Sequence, residues 1–142
     1  MEPRRYFGLA LIVLAVAAAV GLNYIGRDHQ PRTYAVDFVR GTTLSEAGGR
    51  QVERVAATMA RQPRYRAVVV GHTGTRGDPA ANQALSRERA AAVAERLREA
   101  GIAGERIATH GVGGSEPLER RPDEGERGYQ ARLARAEVRL TP

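Results

Sequence analysis

The sequence contains no cysteine, no lysine and no tryptophan, and aromatic residues make up only 5% of it. The absence of cysteine excludes disulfides, thiol catalysis, cysteine-liganded metal and lipid attachment to an amino-terminal cysteine. All 22 basic residues are arginine, and the formal net charge is +6. A basic surface attracts acidic polymers, but aromatic residues are too sparse for a base-stacking surface. We therefore expect no nucleic-acid partner.

The amino-terminal segment carries the long apolar stretch of the sequence. Arg4 and Arg5 precede Tyr6–Ile25, a run of twenty residues without a charge. A helix of that length spans about 30 Å, which is the thickness of the hydrocarbon core of a bilayer. The basic start predicts a cytoplasmic amino terminus, with everything after Arg27 beyond the inner membrane. We therefore interpret residues 1–27 as a membrane anchor.

A cleaved signal sequence is the alternative interpretation of the same residues. Ala15–Ala17 and Ala17–Ala19 both satisfy a small-x-small cleavage pattern. The anchor is favoured because the apolar run continues to Ile25. Both interpretations place the remainder of the chain in the cell envelope, either anchored to the inner membrane or released to the periplasm or the outer membrane. Residues 28–33 are expected to form a polar linker, and residues 34–142 a single domain.

The domain shows the pattern of an α/β fold. The predicted elements, in order, are a strand at 34–38, a helix at 46–61, a strand at 66–70, a helix at 79–100 and strands at 106–110 and 137–140. Ser45 and Asp78 are the expected N-caps, Pro79 is suited to the first helical position, and Gly101 to the end of the second helix. This β-α-β-α-β-β order predicts an α+β sandwich, with two main helices packed on one face of a four-stranded sheet. The polar segment before the last strand has room for a short helix.

The second predicted helix places an arginine within an apolar stripe. Residues at i+4 spacing on this stripe are Leu85, Arg89, Val93 and Leu97. A buried arginine is costly unless an anion meets it or its stem reaches water. The preceding loop, residues 71–77, is glycine-rich and offers backbone N–H donors beside a helix amino terminus. Two interpretations stay open: an anion pocket formed by this loop and Arg89, or an internal ion pair between Arg89 and an acid such as Glu137.

An ordered set of motifs carries a family resemblance. The matching positions are Gly71-His72-Thr73, Gly77, Asn82 and Leu85-Ser86-Arg87-Glu88-Arg89-Ala90. In that order and without a gap, they resemble the motif GHTD-x-x-G-x-x-x-x-N-x-x-LS-x-x-RA of OmpA-like domains. Later segments at 101–102, 106–107, 111–117 and 135–138, together with Phe38 and Leu44, are also similar. The resemblance covers about residues 34–140.

The resemblance implies non-covalent binding of peptidoglycan through the diaminopimelate residue of its stem peptide. The arginine at position 89 is then expected to grip a carboxylate. The aspartate that closes the family motif and meets the ligand's ammonium group is replaced by Gly74, and Asp78 is either a substitute for it or only a helix cap. Thr73 and Asn82 match positions that line the pocket, although both are equally suited to bracing the loop.

Arg135 keeps one arginine of the family's closing motif. It is left open between a ligand contact and a pair with the neighbours of Glu137. The resemblance also leaves open a degenerate domain that binds an envelope protein partner instead of peptidoglycan. His72, Ser86 and His110 lack the spacing of a catalytic set, and the sequence shows no metal motif. We therefore expect no enzyme activity, no metal and no cofactor.

Overall fold

The computed structural model describes residues 31–142. The predicted anchor or signal sequence at 1–27, including Tyr6–Ile25, lies outside the described residues. Within 31–142, no helix combines the length and the apolar character that crossing a membrane requires.

The domain consists of five strands and three helices. In chain order they are β1 Arg32–Arg40, β2 Thr43–Leu44, α1 Glu46–Arg61, β3 Arg66–Gly71, α2 Pro79–Glu99, β4 Ile107–Gly111, α3 Glu126–Leu133 and β5 Arg135–Thr141. The sheet order is β2-β1-β5-β3-β4. The pair of β3 and β4 is parallel, whereas β5 runs antiparallel to both β1 and β3. The predicted α/β class is confirmed.

Local signals set the ends of the two long helices as predicted. The Ser45 Oγ accepts a hydrogen bond from the Gly48 N–H at 2.9 Å and caps α1. An Asp78 carboxylate oxygen accepts from the Ala81 N–H at 2.7 Å and caps α2, with proline following at the first helical position. Gly101 ends α2 with φ +87°, in the left-handed region that favours glycine.

The predicted four-stranded sheet is wrong, because the sheet has a fifth strand. Thr43–Leu44 forms β2, which pairs with the end of β1 across a tight turn. Two residues are too few to show the alternation that identifies a strand in a sequence. The first strand also begins at Arg32 rather than at Tyr34, and the polar segment before β5 contains α3.

The two long helices and one face of the sheet share a single core. Its fully buried side chains come from β1, β3, β5 and both helices: Val36, Val55, Met59, Val69, Val93, Leu97, Val138 and Leu140. The positions predicted to face inward on α1, namely Val52, Val55, Ala56 and Met59, are all buried. Full burial of such a side chain contributes about 1.5–3 kcal/mol. The core therefore fixes α2 against β3 and β4, and with it the position of Arg89.

Candidate functional site

The carboxyl end of β3 lies directly against helix α2. A Cβ atom added to Gly71 would lie 1.8 Å from the Ser86 carbonyl oxygen, so only glycine permits this approach. The next two residues are fixed by backbone hydrogen bonds: His72 N–H donates to the Arg135 carbonyl at 2.8 Å, and Thr73 N–H to the Gly113 carbonyl at 2.9 Å. The loop that follows β3 is therefore held between α2, β5 and the segment after β4.

Arg89 lies at the centre of this arrangement. Its side chain is buried, and Nε donates to the Gly41 carbonyl at 2.8 Å while Nη1 donates to the His72 carbonyl at 2.9 Å. The guanidinium carbon lies 5.2 Å from the centre of the Phe38 ring, within the range of a cation–π contact. All three partners are uncharged. The sequence predicted that Arg89 lies on the inward stripe, but it identified none of these three partners. Two of them are backbone carbonyls, which no sequence motif indicates.

Arg89 has no acidic partner within residues 31–142. The alternative ion pair between Arg89 and Glu137 is wrong, since Glu137 is paired elsewhere. Burial lowers the pKa of Arg89, although a guanidinium stays protonated in proteins. Nη2 donates to no oxygen in the described part of the chain. The site therefore holds a buried positive charge with free donor capacity.

Glu137 forms an ion pair with Arg135. Arg135 Nε and Nη2 both donate to Glu137 Oε1, at 2.9 Å and 2.7 Å, and Arg139 approaches the other carboxylate oxygen at 3.5 Å. Burial opposes ionisation of Glu137, but the hydrogen bonds and charge of Arg135 outweigh it and lower the pKa of Glu137. Arg135 thus pairs with Glu137 itself rather than with its neighbours.

Thr73, Gly74 and Asn82 come together as the sequence predicted, and their hydrogen bonds brace the loop. Thr73 Oγ1 donates to the Gly74 carbonyl at 3.1 Å, while Asn82 Nδ2 donates to the Arg76 carbonyl at 2.9 Å and lies 3.5 Å from that of Gly74. Beside them is a cavity of about 330 Å³, whose lining includes Gly74, Asn82 and residues 112–115. Asp78 lies at the start of α2 as its N-cap, as described above.

A residue that the sequence did not single out contacts this loop. Gln130 of α3 accepts a hydrogen bond at Oε1 from the Thr75 N–H at 3.0 Å and donates through Nε2 to Thr75 Oγ1 at 3.0 Å. The two residues are 55 positions apart in the chain. No periodicity or motif in the sequence indicated this contact.

Ser86 and His72, two of the residues considered as catalytic candidates, are both buried. Ser86 Oγ donates to the Gln83 carbonyl at 2.8 Å and accepts from the Gly113 N–H at 2.9 Å, so it is a structural hydroxyl. His72 is 1% exposed, and neither ring nitrogen has a hydrogen-bond partner. Within the described chain, no three acidic or histidine side chains are grouped closely enough to hold a metal ion.

Comparison with known proteins agrees with this geometry. The sequence model of the OmpA family matches residues 38–130. Over 101 residues the chain is 33% identical to the probable lipoprotein YiaD of Escherichia coli, an alignment that covers 70% of this chain and 44% of that protein. The chain therefore spans less than half the length of this curated relative.

Solved structures show the same fold. The OmpA-like domain of FopA1 from Francisella tularensis superposes with a TM-score of 0.67 at 23% identity, covering 79% of this chain and 73% of that one. The peptidoglycan-associated lipoprotein from Burkholderia pseudomallei superposes with a TM-score of 0.65 at 21% identity, covering 78% and 90%. With a buried arginine on α2 in the family motif and a family match over most of its domain, this chain belongs to the OmpA family.

Proposed function

We propose that the domain binds peptidoglycan non-covalently, with Arg89 gripping a carboxylate of the diaminopimelate residue in the stem peptide. The observation that carries the proposal is the buried guanidinium of Arg89, which has two carbonyls and one aromatic ring as partners and no acid within residues 31–142. A desolvated charge among neutral partners is unfavourable, and an incoming anion offsets that cost.

The free hydrogens of Arg89 suit a carboxylate. Nε and Nη1 each use one hydrogen on a carbonyl, which leaves Nη2 and the second hydrogen of Nη1 for a ligand. Arginine binds carboxylates through two parallel, charge-assisted hydrogen bonds, and these are about twice as strong as neutral ones. The carbonyls and the Phe38 ring hold the guanidinium in place before the ligand arrives, so little side-chain entropy is lost on binding.

The comparisons support this choice of ligand. One of the proteins with the same fold is a peptidoglycan-associated lipoprotein, and the family motif around Arg89 implies the same ligand class. Binding rather than catalysis also fits the engaged hydroxyl of Ser86 and the buried ring of His72.

Replacing Arg89 tests the proposal directly. A charged hydrogen bond contributes about 1.5–3 kcal/mol, so Arg89→Met should weaken binding of diaminopimelate-containing muropeptides about tenfold to a hundredfold. Arg87→Met is the matched control, because it removes one positive charge from an exposed position on the same helix. Calorimetric titration of the full-length protein and both variants gives the affinities. Equal affinity of the two variants, or no binding by the wild type, would refute the proposal.

We place the domain in the bacterial cell envelope, tethered to the inner membrane by Tyr6–Ile25. A reporter fused after Pro142 that is active only when exported supports the location. Mass spectrometry that finds a mature start near Ala18 would refute the anchor and leave a cleaved envelope protein.

A second candidate function is binding of an envelope protein by a degenerate domain. The observation in its favour is Gly74, which leaves the loop without the acid that the family motif carries there. Sedimentation of detergent-solubilised full-length protein with purified sacculi separates the two candidates. Sedimentation that depends on Arg89 supports peptidoglycan binding, whereas protein that stays in the supernatant supports the second candidate.

A further inference from the structure

The space beside the Cα atom of Gly74 is occupied by the side chain of Gln130. The three atoms nearest to a Cβ built on Gly74 all belong to Gln130, with Oε1 at 2.2 Å, Cδ at 3.4 Å and Cβ at 3.9 Å. The backbone of Gly74 is not in the left-handed region, unlike that of Gly77 nearby. The conformation of the loop therefore accepts a side chain at position 74, and the obstacle is the amide of Gln130.

Gln130 is held in this place at both ends of its amide. Oε1 accepts from the Thr75 N–H, and Nε2 donates both to Thr75 Oγ1 and to Glu126 Oε1, the latter at 2.9 Å. The backbone N–H is a donor only, so it fixes which end of the amide faces the loop. Glu126 is itself paired with Arg120 and, at 3.2 Å, with Arg76. The amide is thus a positioned part of the loop rather than a mobile surface group.

The charges near the loop follow a consistent pattern. Glu126 is neutralised by two arginines, and Glu137 is held by Arg135. Gln130 brings a neutral amide to the place that a side chain at position 74 would fill. The Asp78 carboxylate, at the end of the loop, accepts the Ala81 N–H as the cap of α2.

We propose that Gln130 is a specificity-determining residue of this site, and that it makes recognition depend on the ligand's carboxylate and not on its ammonium group. The inference rests on the peptidoglycan function proposed above. An ammonium group next to the bound carboxylate meets an uncharged oxygen at Gln130 instead of a counter-charge. Gly74 and Gln130 are coupled, because a side chain at position 74 would require the amide of Gln130 to leave its place beside the loop.

Two ligands and a pair of substitutions test the proposal. The ligands are a stem peptide with free diaminopimelate and the same peptide with the side-chain amino group of that residue acetylated. The full-length wild type should bind the two with affinities within about threefold of each other, since a neutral acceptor discriminates weakly. The double variant Gly74→Asp/Gln130→Ala has both space and a counter-charge, so it should prefer the free amine by about tenfold or more.

The single variants show whether the two residues are coupled. Gly74→Asp alone should lower stability in urea unfolding because the new Cβ meets Gln130, and adding Gln130→Ala should restore much of that loss. Gln51→Ala, at a glutamine on α1 away from the loop, is the control and should restore nothing. Additive stability effects would overturn the placement of Gln130.

The affinities for the two peptides distinguish the proposed role of Gln130 from the proposed peptidoglycan function. A wild type that binds and prefers the free amine by tenfold or more refutes the role of Gln130 and leaves the proposed function standing. A wild type that binds neither peptide refutes the proposed function, and the specificity claim falls with it. Weak discrimination by the wild type, gained discrimination by the double variant and non-additive stability together support the assignment.

Discussion

Two arginines of this domain are buried to nearly the same degree and differ in their partners. Arg89 is 6% exposed and contacts carbonyls and an aromatic ring, whereas Arg135 is 5% exposed and makes two hydrogen bonds to the carboxylate of Glu137. Removing a charge from water is costly in both places, but only around Arg135 does the described chain supply the compensating charge. Within the described residues, an internal acid therefore neutralises Arg135 but not Arg89.

Sequence patterns alone did not separate these two residues. Both belong to motifs of the OmpA-like resemblance, and both were candidates for ligand contact. The acid nearest to Arg135 in the chain is its partner, whereas Arg89 meets residues from two distant segments, the β1–β2 hairpin and the loop after β3. The comparison therefore depends on tertiary contacts, and it can be tested by removing the partners one at a time.

The largest effect is expected at the paired arginine. Glu137→Ala leaves Arg135 buried, and among residues 31–142 the acceptor that remains is the Leu133 carbonyl at 3.4 Å. We expect the free energy of unfolding to fall by about 2–4 kcal/mol, less than for a fully buried pair because Glu137 is partly exposed. Glu95→Ala, which breaks an exposed pair with Arg98 on α2, is the control and should cost at most about 0.5 kcal/mol. Similar losses in urea unfolding of the two variants would contradict the comparison.

The second effect concerns His72, which links the two arginines. Its carbonyl accepts from Arg89, its N–H donates to the Arg135 carbonyl, and its Nε2 lies 3.9 Å from Glu137 Oε1. Burial and then the charge of Arg135 lower the pKa of His72. The unfolded chain then binds the proton more readily than the folded one, so stability is lost as pH falls below about 6.5 and towards the folded-state pKa.

Urea unfolding between pH 7.5 and 5.5 measures this loss. The charged groups that act on the ring are Arg135, Glu137, Glu116 and Arg139. A single proton limits the slope to about 1.4 kcal/mol per pH unit. His72→Gln should flatten the slope, and Gln51→Ala on α1, which removes no titratable group, should leave it unchanged. An unchanged slope in the His72 variant would show that other groups cause the pH dependence.

The sequence predicted those parts of the fold that depend on interactions between residues close together in the chain. Ser45, Asp78 and Gly101 act within one turn of the helix that each delimits, so their residue types alone indicated the helix ends. Strand β2 was missed because two residues carry no period. Arg89 was found because it interrupts an apolar stripe, but its acceptors at positions 41 and 72 are carbonyls, which every residue has.

The sequence likewise predicted only part of the structure of the loop at residues 71–77. The resemblance identified Gly74 as a departure from the family motif. In the structure, the space beside Gly74 is occupied by Gln130 of α3, which lies 55 residues beyond the Thr75 that it bonds. A contact between two distant surface segments leaves no periodic signal in a single sequence.

The smallest effect on stability is expected where the effect on binding is largest. Arg89→Met keeps most of the side-chain volume, removes a desolvated charge and leaves the carbonyls of Gly41 and His72 without a donor. Removing the buried charge stabilises the fold, and leaving the two carbonyls unpaired destabilises it by a similar amount. We therefore expect the free energy of unfolding to change by less than about 1 kcal/mol. In the wild type, a muropeptide at a hundred times its Kd should add about 2.7 kcal/mol of stability. At the same peptide concentration, a variant whose binding is tenfold to a hundredfold weaker should gain only about 0.4–1.4 kcal/mol. If Arg89→Met alone costs more than about 3 kcal/mol, as expected for breaking a buried ion pair, then Arg89 is a structural cation like Arg135 and the contrast between them fails.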